Sequence, residues 1–198
     1  MTTRNPNHPK KGDTIKVDPI TELKDIKLIK KLLRDKPRDY CLFTMGINTN
    51  LRASDLIRIT ASDVRRKNPG DALIIKEKKT GKERRITLND SVISAVKELL
   101  AHQPYLDTDP LFRSKKGGKT LSVPSINRLV KGWCHEINLK GNYGSHTLRK
   151  TWGYHQRVTF GIDLPRLMVC FNHSTQSQTL SYLCIQPEEI KEVYENEL

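Results

Sequence analysis

The positions of the apolar residues predict a chain made mainly of helices. Ile26, Ile29 and Leu33 recur at the 3.6-residue period of an amphipathic helix that we expect to begin at the N-cap Thr21. Residues 38–48 are apolar on most sides, which is typical of a helix buried at the centre of a domain. The remaining predicted helices each have apolar residues along one face and cover residues 90–100, 122–137, 146–160, 163–171, 175–183 and 187–198.

Two short β-type runs interrupt this helical pattern near the middle of the chain. Residues 73–75 and 85–88 flank the polar, glycine-containing segment 76–84, which is typical of a β-hairpin. The tip of this hairpin is rich in lysine. Such a run is most often a solvated surface, although a flexible lysine at a tip can also enter a groove. The predicted fold class is therefore mainly α with a small antiparallel β-hairpin (α+β).

The turn before the hairpin carries residues of chemical interest. Asn50 can take a left-handed conformation, which asparagine tolerates better than most residues. Arg52 follows near the start of a short helix, where free backbone N–H groups already favour an anion. Asp55 could pair with Arg52 or support the turn, and an ordinary surface ion pair explains the two residues equally well. Residues 60–64 are expected to lead from this helix into a strand.

The net charge suggests a polyanionic partner. Lysine and arginine outnumber aspartate and glutamate 35 to 22, which gives a formal charge of +13. Because basic proteins gain affinity for nucleic acids by releasing counterions from phosphates, nucleic acid is the partner that this excess favours. A basic soluble surface without such a role is the alternative. The loop of residues 113–119, with several lysines and two glycines, is a candidate for phosphate contacts.

The cysteines and the chain ends indicate a protein of the cytoplasm. The four cysteines form no C-x-x-C pair and are interpreted as reduced thiols, and the adjacent Cys134 and His135 lack the second pair that a zinc site needs. Residues 1–17 contain two prolines, a glycine and scattered charge, and we expect a flexible or loosely docked arm. We find neither a signal peptide nor an apolar run long enough for a membrane span.

The segment from residue 145 to residue 182 contains the most distinctive chemistry. His146 and Arg149 are three residues apart and share one face of a predicted helix. His173 lies in a polar turn, nine residues before Tyr182. A phenol that attacks a phosphate needs neighbours that stabilise negative charge and move protons, and arginine and histidine can do both. We therefore expect phosphoryl transfer to tyrosine on a nucleic acid.

Six residues stand in an order that resembles the tyrosine recombinase (phage integrase) family. The resemblance covers about residues 20–198. It rests on an arginine followed three residues later by an acidic residue, a hairpin lysine, an H-x-x-R box, and a histidine nine residues before a tyrosine. These six positions are Arg52, Lys79, His146, Arg149, His173 and Tyr182.

The chain departs from the family pattern at two kinds of position. Asn50 and Asn172 stand where the family usually has glycine, and asparagine is tolerated there if the backbone φ angle is positive. Family members also usually carry a separate N-terminal helical domain. Here only the arm of residues 1–17 precedes the catalytic region, residues 18–198, so we expect an excised catalytic domain or a naturally short member.

The resemblance implies a mechanism for each of the six residues. Tyr182 would attack a DNA phosphate and form a 3′-phosphotyrosine. Arg52 and Arg149 would bind the non-bridging oxygens, and Lys79 would protonate the leaving 5′ oxygen. His146 would accept a proton from the tyrosine or orient the site, and His173 would donate a hydrogen bond to the phosphate. The resemblance implies no metal and no cofactor.

The resemblance also implies partners. These are double-stranded DNA and further copies of the chain, assembled as a tetramer on DNA through the C-terminal helix at residues 187–198. The encoding element would be prokaryotic, phage or plasmid DNA. Asp55 would support the site, and the expected DNA-contacting residues are Lys78, Lys82, Arg84, Lys115, Lys116 and Lys119.

Two other functions remain open at this point. A type IB topoisomerase would share the chemistry but would nick and reseal a single strand. A decayed integrase or a regulator would bind DNA without cutting it. Tyr194 is a rival nucleophile, but it lies on the apolar stripe of the last predicted helix at the wrong distance from His173, so we assign it to packing.

Overall fold

The computed structural model describes residues 16–115, 117–183, 185, 191 and 193–197. Within them the chain is mainly helical with one two-stranded antiparallel sheet, so the predicted fold class is confirmed. The elements are α1 (Leu23–Leu32), α2 (Pro37–Asn48), α3 (Ala53–Leu56), α4 (Ala61–Val64), β1 (Ala72–Lys76), β2 (Glu83–Thr87), α5 (Asp90–His102), α6 (Val123–Glu136), α7 (Thr147–Val158), α8 (Leu164–Phe171) and α9 (Gln176–Leu183).

Helix α2 is the centre of the hydrophobic core, as its apolar character predicted. Leu42, Phe43 and Met45 are fully buried, and the helix packs between α5 and α7. Trp133 of α6 meets the Phe43 ring edge-on, with 5.8 Å between ring centroids. The helix that bears Arg149 is therefore supported by the central helix of the core.

Several predicted helix ends are confirmed and two are wrong. The side chains of Asn89 and Ser122 cap α5 and α6, as expected. Helix α1 instead takes Glu22 as its N-cap, because the first-turn amides bond to the Glu22 carbonyl rather than to Thr21. Residues 61–64 form the short helix α4 instead of leading directly into a strand, because the Asp63 carboxylate accepts hydrogen bonds from the backbone N–H and hydroxyl of Thr60.

The hairpin has one face on the core and the other in solvent. Leu73 pairs with Ile86 across the two strands, and both are buried, whereas the neighbouring pair Ile74 and Arg85 is exposed. The loop that joins the strands begins at Glu77, whose backbone N–H donates to the carbonyl of Lys82 at 2.9 Å. The sheet therefore presents the lysine-rich loop at one end of the core.

The N-terminal segment is fastened along α7 by side chains spaced four residues apart. The hydroxyl of Thr147 donates to the carbonyl of Asp18 at 2.8 Å, and that of Thr151 accepts from the backbone N–H of Ile20 at 2.9 Å. His155 is buried with Nε2 at 2.9 Å from the Ile20 carbonyl, so its role is structural. Residues 18–20 therefore belong to the folded domain, and of the expected arm only residues 16 and 17 lie in the described part.

Only part of the predicted last helix can be assessed. Lys191 and residues 193–197 are described, and Lys191 pairs with Glu195 at 3.2 Å. Val193 and Tyr194 are 64% and 86% exposed, so the packing expected of Tyr194 is not made against the described residues of its own domain. None of the helices in the described part of the chain is both long and apolar enough to cross a membrane.

Candidate active site

Tyr182 on α9 lies among three of the residues with which it was grouped by sequence. Its ring centroid is 5.2 Å from that of His173 and 6.4 Å from that of His146. The guanidinium carbon of Arg149 is 5.5 Å from the same centroid. The structure thus brings together side chains from the start of α7, the turn after α8, and α9.

Arg149 is buried and its orientation is fixed by two backbone carbonyls. It is 1% exposed, with Nη1 donating to Asn50 O at 2.7 Å and Nη2 donating to Phe171 O at 2.9 Å. The Phe171 ring packs against one side of the guanidinium, 5.0 Å from its carbon. Nε is buried and has no hydrogen-bond partner among the described residues. The guanidinium therefore retains N–H groups that an incoming anion could use.

Two asparagines in left-handed conformation shape the backbone around this arginine. Asn50 has φ 53° and Asn172, which ends α8, has φ 57°, so the conformation expected for both is confirmed. The Asn50 side chain donates to the carbonyl of Cys170 at 2.9 Å. This bond ties the turn before α3 to the end of α8, where His173 follows.

Arg52 is the N-cap residue of α3, and its side chain is 11% exposed. Its Nη1 lies 2.8 Å from Oε2 of Glu77, a carboxylate that the sequence interpretation did not single out. Asp55 does not pair with Arg52. It accepts a hydrogen bond from the backbone N–H of Lys78 at 2.8 Å, so it supports the hairpin loop, which is neither of the two roles expected for it.

The position of Arg84 requires a correction. We expected it to contact DNA, but its side chain is 9% exposed and donates to the carbonyl of Asn50 at 2.9 Å. Its Nη1 also lies 3.4 Å from Oε1 of Glu77. Because Arg84 faces the buried side of the strand pair, it belongs to the structural cluster rather than to the exposed basic surface.

The other basic residues are placed differently. Lys79 is exposed on the hairpin loop, and its charge contributes to the electrostatics of His146. Lys116 lies outside the described residues. The remaining predicted DNA-contacting residues are exposed and are Lys78, Lys82, Lys115 and Lys119.

Two histidines of the cluster are held in the neutral form at pH 7. Burial, together with the positive charges of Arg149 and Arg52, lowers the pKa of His173 to about 4. Burial also lowers the pKa of His146, and the charges of Arg149, Lys150, Arg52 and Lys79 act in the same direction. A neutral imidazole can accept a proton, so His146 is suited to act as a base near neutral pH, whereas a pKa of about 4 makes His173 a weak one.

Comparison with known proteins identifies the family of the chain. The sequence model of the Phage integrase family matches residues 21–189. The probable integrase/recombinase YoeC of Bacillus subtilis (strain 168) is 34% identical over 181 residues, which cover 90% of this chain and 95% of that protein. Tyrosine recombinase XerC of Caldanaerobacter subterraneus subsp. tengcongensis is 32% identical over 172 residues, 82% of this chain and 47% of that protein.

Solved structures share the fold. The crystal structure of XerA recombinase superposes with a TM-score of 0.76 at 18% identity, covering 96% of this chain and 68% of that one. That of the XerH site-specific recombinase bound to a palindromic difH substrate gives a TM-score of 0.74 at 20% identity, covering 93% of this chain and 53% of that one. The fold is that of a tyrosine recombinase catalytic domain.

The chain belongs to the phage integrase family, as the order of its six boxed residues predicted. It matches YoeC over nearly the whole of that protein but spans about half the length of XerC.

Proposed function

We propose that this protein is a metal-independent, tyrosine-type site-specific DNA recombinase whose nucleophile is Tyr182. The observation that carries the proposal is the position of the Tyr182 ring beside the buried Arg149 and between two neutral histidines. A phenol in that setting has a cation to stabilise the phosphate under attack and a base to receive its proton. Membership of a family that includes XerC and YoeC supports the same reaction.

The reaction follows from the roles of these groups. The Tyr182 oxygen attacks the phosphorus of a DNA phosphodiester, its proton passes to His146, and the bond to the 5′ oxygen breaks. Lys79 donates a proton to that leaving oxygen, so the products are a 3′-phosphotyrosine and a 5′-hydroxyl. Because the phosphodiester is exchanged for a phosphotyrosine ester, rejoining needs no external energy source.

Arg52 and Arg149 are proposed to bind the non-bridging oxygens, on which charge accumulates in the transition state. His173 completes this set through its second ring nitrogen. Its Nδ1 lies 3.1 Å from the buried Thr179 hydroxyl. If Nδ1 accepts a hydrogen bond from that hydroxyl, the imidazole hydrogen is on Nε2, which can donate a hydrogen bond to the phosphate.

Double-stranded DNA is the proposed partner. The +13 charge and the exposed lysines Lys78, Lys82, Lys115 and Lys119 suit a phosphate backbone. Further copies of the chain are proposed to assemble on the DNA as a tetramer through residues 187–198. The exposure of Val193 and Tyr194 supports this assembly, because a neighbouring subunit could bury these apolar side chains, which contribute no hydrophobic stabilisation while they are exposed to solvent.

A suicide substrate tests the proposed nucleophile. Nicked duplexes that the protein selects from a random library lose their short 5′-hydroxyl fragment after cleavage, which traps the covalent adduct for gel analysis. We expect wild-type protein and the control Tyr194→Phe to form the adduct. Tyr182→Phe should form none while binding the same duplex. An adduct that persists in Tyr182→Phe contradicts the assignment, and DNA binding without any adduct indicates a non-cutting module.

A further inference from the structure

Glu77 carries a carboxylate that is buried at the base of the hairpin loop. It is not one of the six family positions, and the lysine-rich sequence around it does not suggest a buried residue. It stands directly after β1, within a run of lysines, yet its side chain is 0% exposed. Burying a carboxylate costs its hydration energy, so a buried carboxylate needs specific partners that compensate for the lost hydration. The partners of Glu77 therefore indicate what it does.

Those partners lie on four separate segments. Oε2 accepts the hydroxyl hydrogen of Thr80 at 2.8 Å and lies 2.8 Å from Arg52 Nη1 and 3.3 Å from Asn172 Nδ2. Oε1 faces Arg84 Nη1 at 3.4 Å. One carboxylate thus joins the hairpin loop to the start of α3, to β2 and to the turn that precedes His173.

The charges in this cluster also require Glu77. Arg52, Arg84 and Arg149 bring three guanidinium groups together, and burial, followed by the charges of Arg52 and Arg84, lowers the pKa of Arg149. Burial by itself would raise the pKa of Glu77, but the hydrogen bonds from Thr80 and Arg52 and the charges of Arg52 and Arg84 lower it to about 2. The carboxylate is therefore ionised at neutral pH.

The loop that Glu77 closes is the one that carries Lys79. The backbone N–H of Glu77 donates to Lys82 O, and the carbonyl of Glu77 accepts from Gly81 N–H, both at 2.9 Å. The Thr80 hydroxyl, next to Lys79, reaches the carboxylate from inside the same loop. Among the described residues no hydrogen bond or ion pair holds the Lys79 ammonium itself, so the loop alone sets the position of this side chain.

From these contacts we propose that Glu77 is a positioning residue: it fastens the Lys79 loop, through Thr80, to the arginine cluster that faces Tyr182. This inference rests on the proposed function, in which Lys79 is the acid that protonates the leaving oxygen. Without the Thr80 contact the loop has one attachment fewer, and Lys79 spends less time within reach of the leaving group. Proton transfer then slows, because it depends on placement within hydrogen-bonding distance.

Thr80→Val tests the link without unpairing any buried charge. Valine keeps the shape of threonine and leaves the Glu77 ion pairs intact, and Thr80→Ser restores the hydroxyl. We expect single-turnover cleavage of the suicide duplex to slow about tenfold in Thr80→Val. Thr80→Ser should cleave at the wild-type rate, as should the control Thr87→Val, which changes an exposed threonine on β2.

A second duplex, with sulfur in place of the bridging 5′ oxygen, identifies the step that is affected. A thiolate leaves without a proton donor, so Thr80→Val should cleave this duplex as fast as wild-type protein. Equal slowing on both duplexes, or no slowing on the oxygen duplex, overturns the proposal. Provided that the wild-type protein forms the Tyr182 adduct in the same assay, either of these outcomes rules out the positioning role of Glu77 but leaves the proposed function intact.

Glu77→Gln extends the test to the carboxylate. It removes the charge between Arg52 and Arg84, and we expect cleavage of the oxygen duplex to fall about 10²-fold, with at least part of the loss recovered on the sulfur duplex. Glu83→Gln, which neutralises an exposed glutamate of the same hairpin, is the matched control. Wild-type cleavage by a folded Glu77→Gln protein contradicts the proposal. If this variant does not fold, Thr80→Val decides alone.

Discussion

The guanidinium carbon of Arg149 lies 5.5 Å from the centre of the Tyr182 ring, and both terminal nitrogens of that guanidinium are bound to backbone carbonyls. The arginine therefore has a structural task and, as proposed, a chemical one. Its two carbonyl partners, on Asn50 and Phe171, belong to the turn before α3 and the end of α8. Substitutions at Arg149 should consequently lower both the stability of the fold and the rate of cleavage.

Arg149→Lys separates charge from geometry. Lysine keeps the positive charge but cannot reach both carbonyls as the planar guanidinium does, so one buried acceptor loses its donor. We expect the free energy of unfolding to fall by about 1–3 kcal/mol and suicide cleavage to slow at least about 10²-fold. Urea unfolding and adduct formation measure the two effects. Arg85→Lys on the exposed face of β2 is the control, and wild-type cleavage by Arg149→Lys would argue against a phosphate-binding role.

A glycine on α7 allows α8 to approach closely. A Cβ atom at Gly153 would lie 2.6 Å from Cζ of Phe171, whose ring stacks on His173 with 5.0 Å between centroids. Gly153→Ala should therefore displace the Phe171 ring and with it the proposed site. We expect a stability loss of about 1–3 kcal/mol and cleavage slowed by about 10²-fold, measured by urea unfolding and adduct formation.

Gly132→Ala is the matched control for that substitution. Gly132 lies in the middle of α6, and a Cβ there would meet no heavy atom within 4 Å. Alanine should raise helix stability by up to about 1 kcal/mol and leave cleavage unchanged. If both alanine variants cleave at the wild-type rate, the close contact between α7 and α8 is unimportant for the site.

Most helices, the hairpin and the six family positions could be predicted from sequence because each depends on residues that are near one another in the chain. Apolar periodicity reports the faces of α1, α5 and α6 directly, and the apolar character of residues 38–48 on most sides indicates the buried α2. Family spacing reports where His146 and Arg149 stand. The short helix α4 was missed because four residues do not complete enough turns to show a period.

The inner cluster of the site could not be predicted, because its members meet only in the folded state. Arg84 bonds to a carbonyl 34 positions away, and Asn172 reaches Glu77 across 95 positions. A basic run in sequence does not distinguish an arginine that faces the core from lysines that face solvent. Strand alternation offered a partial signal, since Arg84 precedes the buried Ile86 by two residues and shares its side of β2.

Asn172 provides a third prediction, because its φ of 57° is natural for glycine and strained for alanine. Asn172→Gly should change the free energy of unfolding by less than about 0.5 kcal/mol, whereas Asn172→Ala should lower it by at least about 1 kcal/mol. Asn138 has the same φ at the end of α6 and is the control. Asn138→Ala should cost similar stability, measured by urea unfolding, without slowing cleavage. Equal stability of the glycine and alanine variants would contradict the argument.

The fourth prediction concerns pH. His173 titrates near 6.5 when unfolded and near 4 when folded, so between these values the unfolded chain binds more protons. Stability from this residue is therefore present above pH 6.5 and is lost as the pH falls toward 4. In urea unfolding across this range, wild-type protein should lose stability faster than His173→Gln, by at most about 1.4 kcal/mol per pH unit. Parallel pH curves for the two proteins would show that the imidazole is not held neutral.

Salt dependence distinguishes the exposed lysines from the buried Arg84. If Lys115 and Lys119 contact phosphates, each substitution by glutamine should weaken duplex binding at all sequences. The slope of log affinity against log salt should become shallower by roughly 0.9 for each phosphate contact removed. Fluorescence anisotropy titrations between about 50 and 200 mM salt measure this slope. An unchanged slope would remove these lysines from the DNA interface.

Arg84→Gln should behave in the opposite way. Its side chain is 9% exposed and bound to Asn50 and Glu77, so its loss leaves a buried carbonyl and a buried carboxylate short of a donor. We expect unfolding to become easier by about 1–3 kcal/mol while the salt slope of the folded variant stays at the wild-type value. A shallower slope with unchanged stability would restore Arg84 to the DNA-contacting set, because only an arginine that reaches the phosphates can release their counterions.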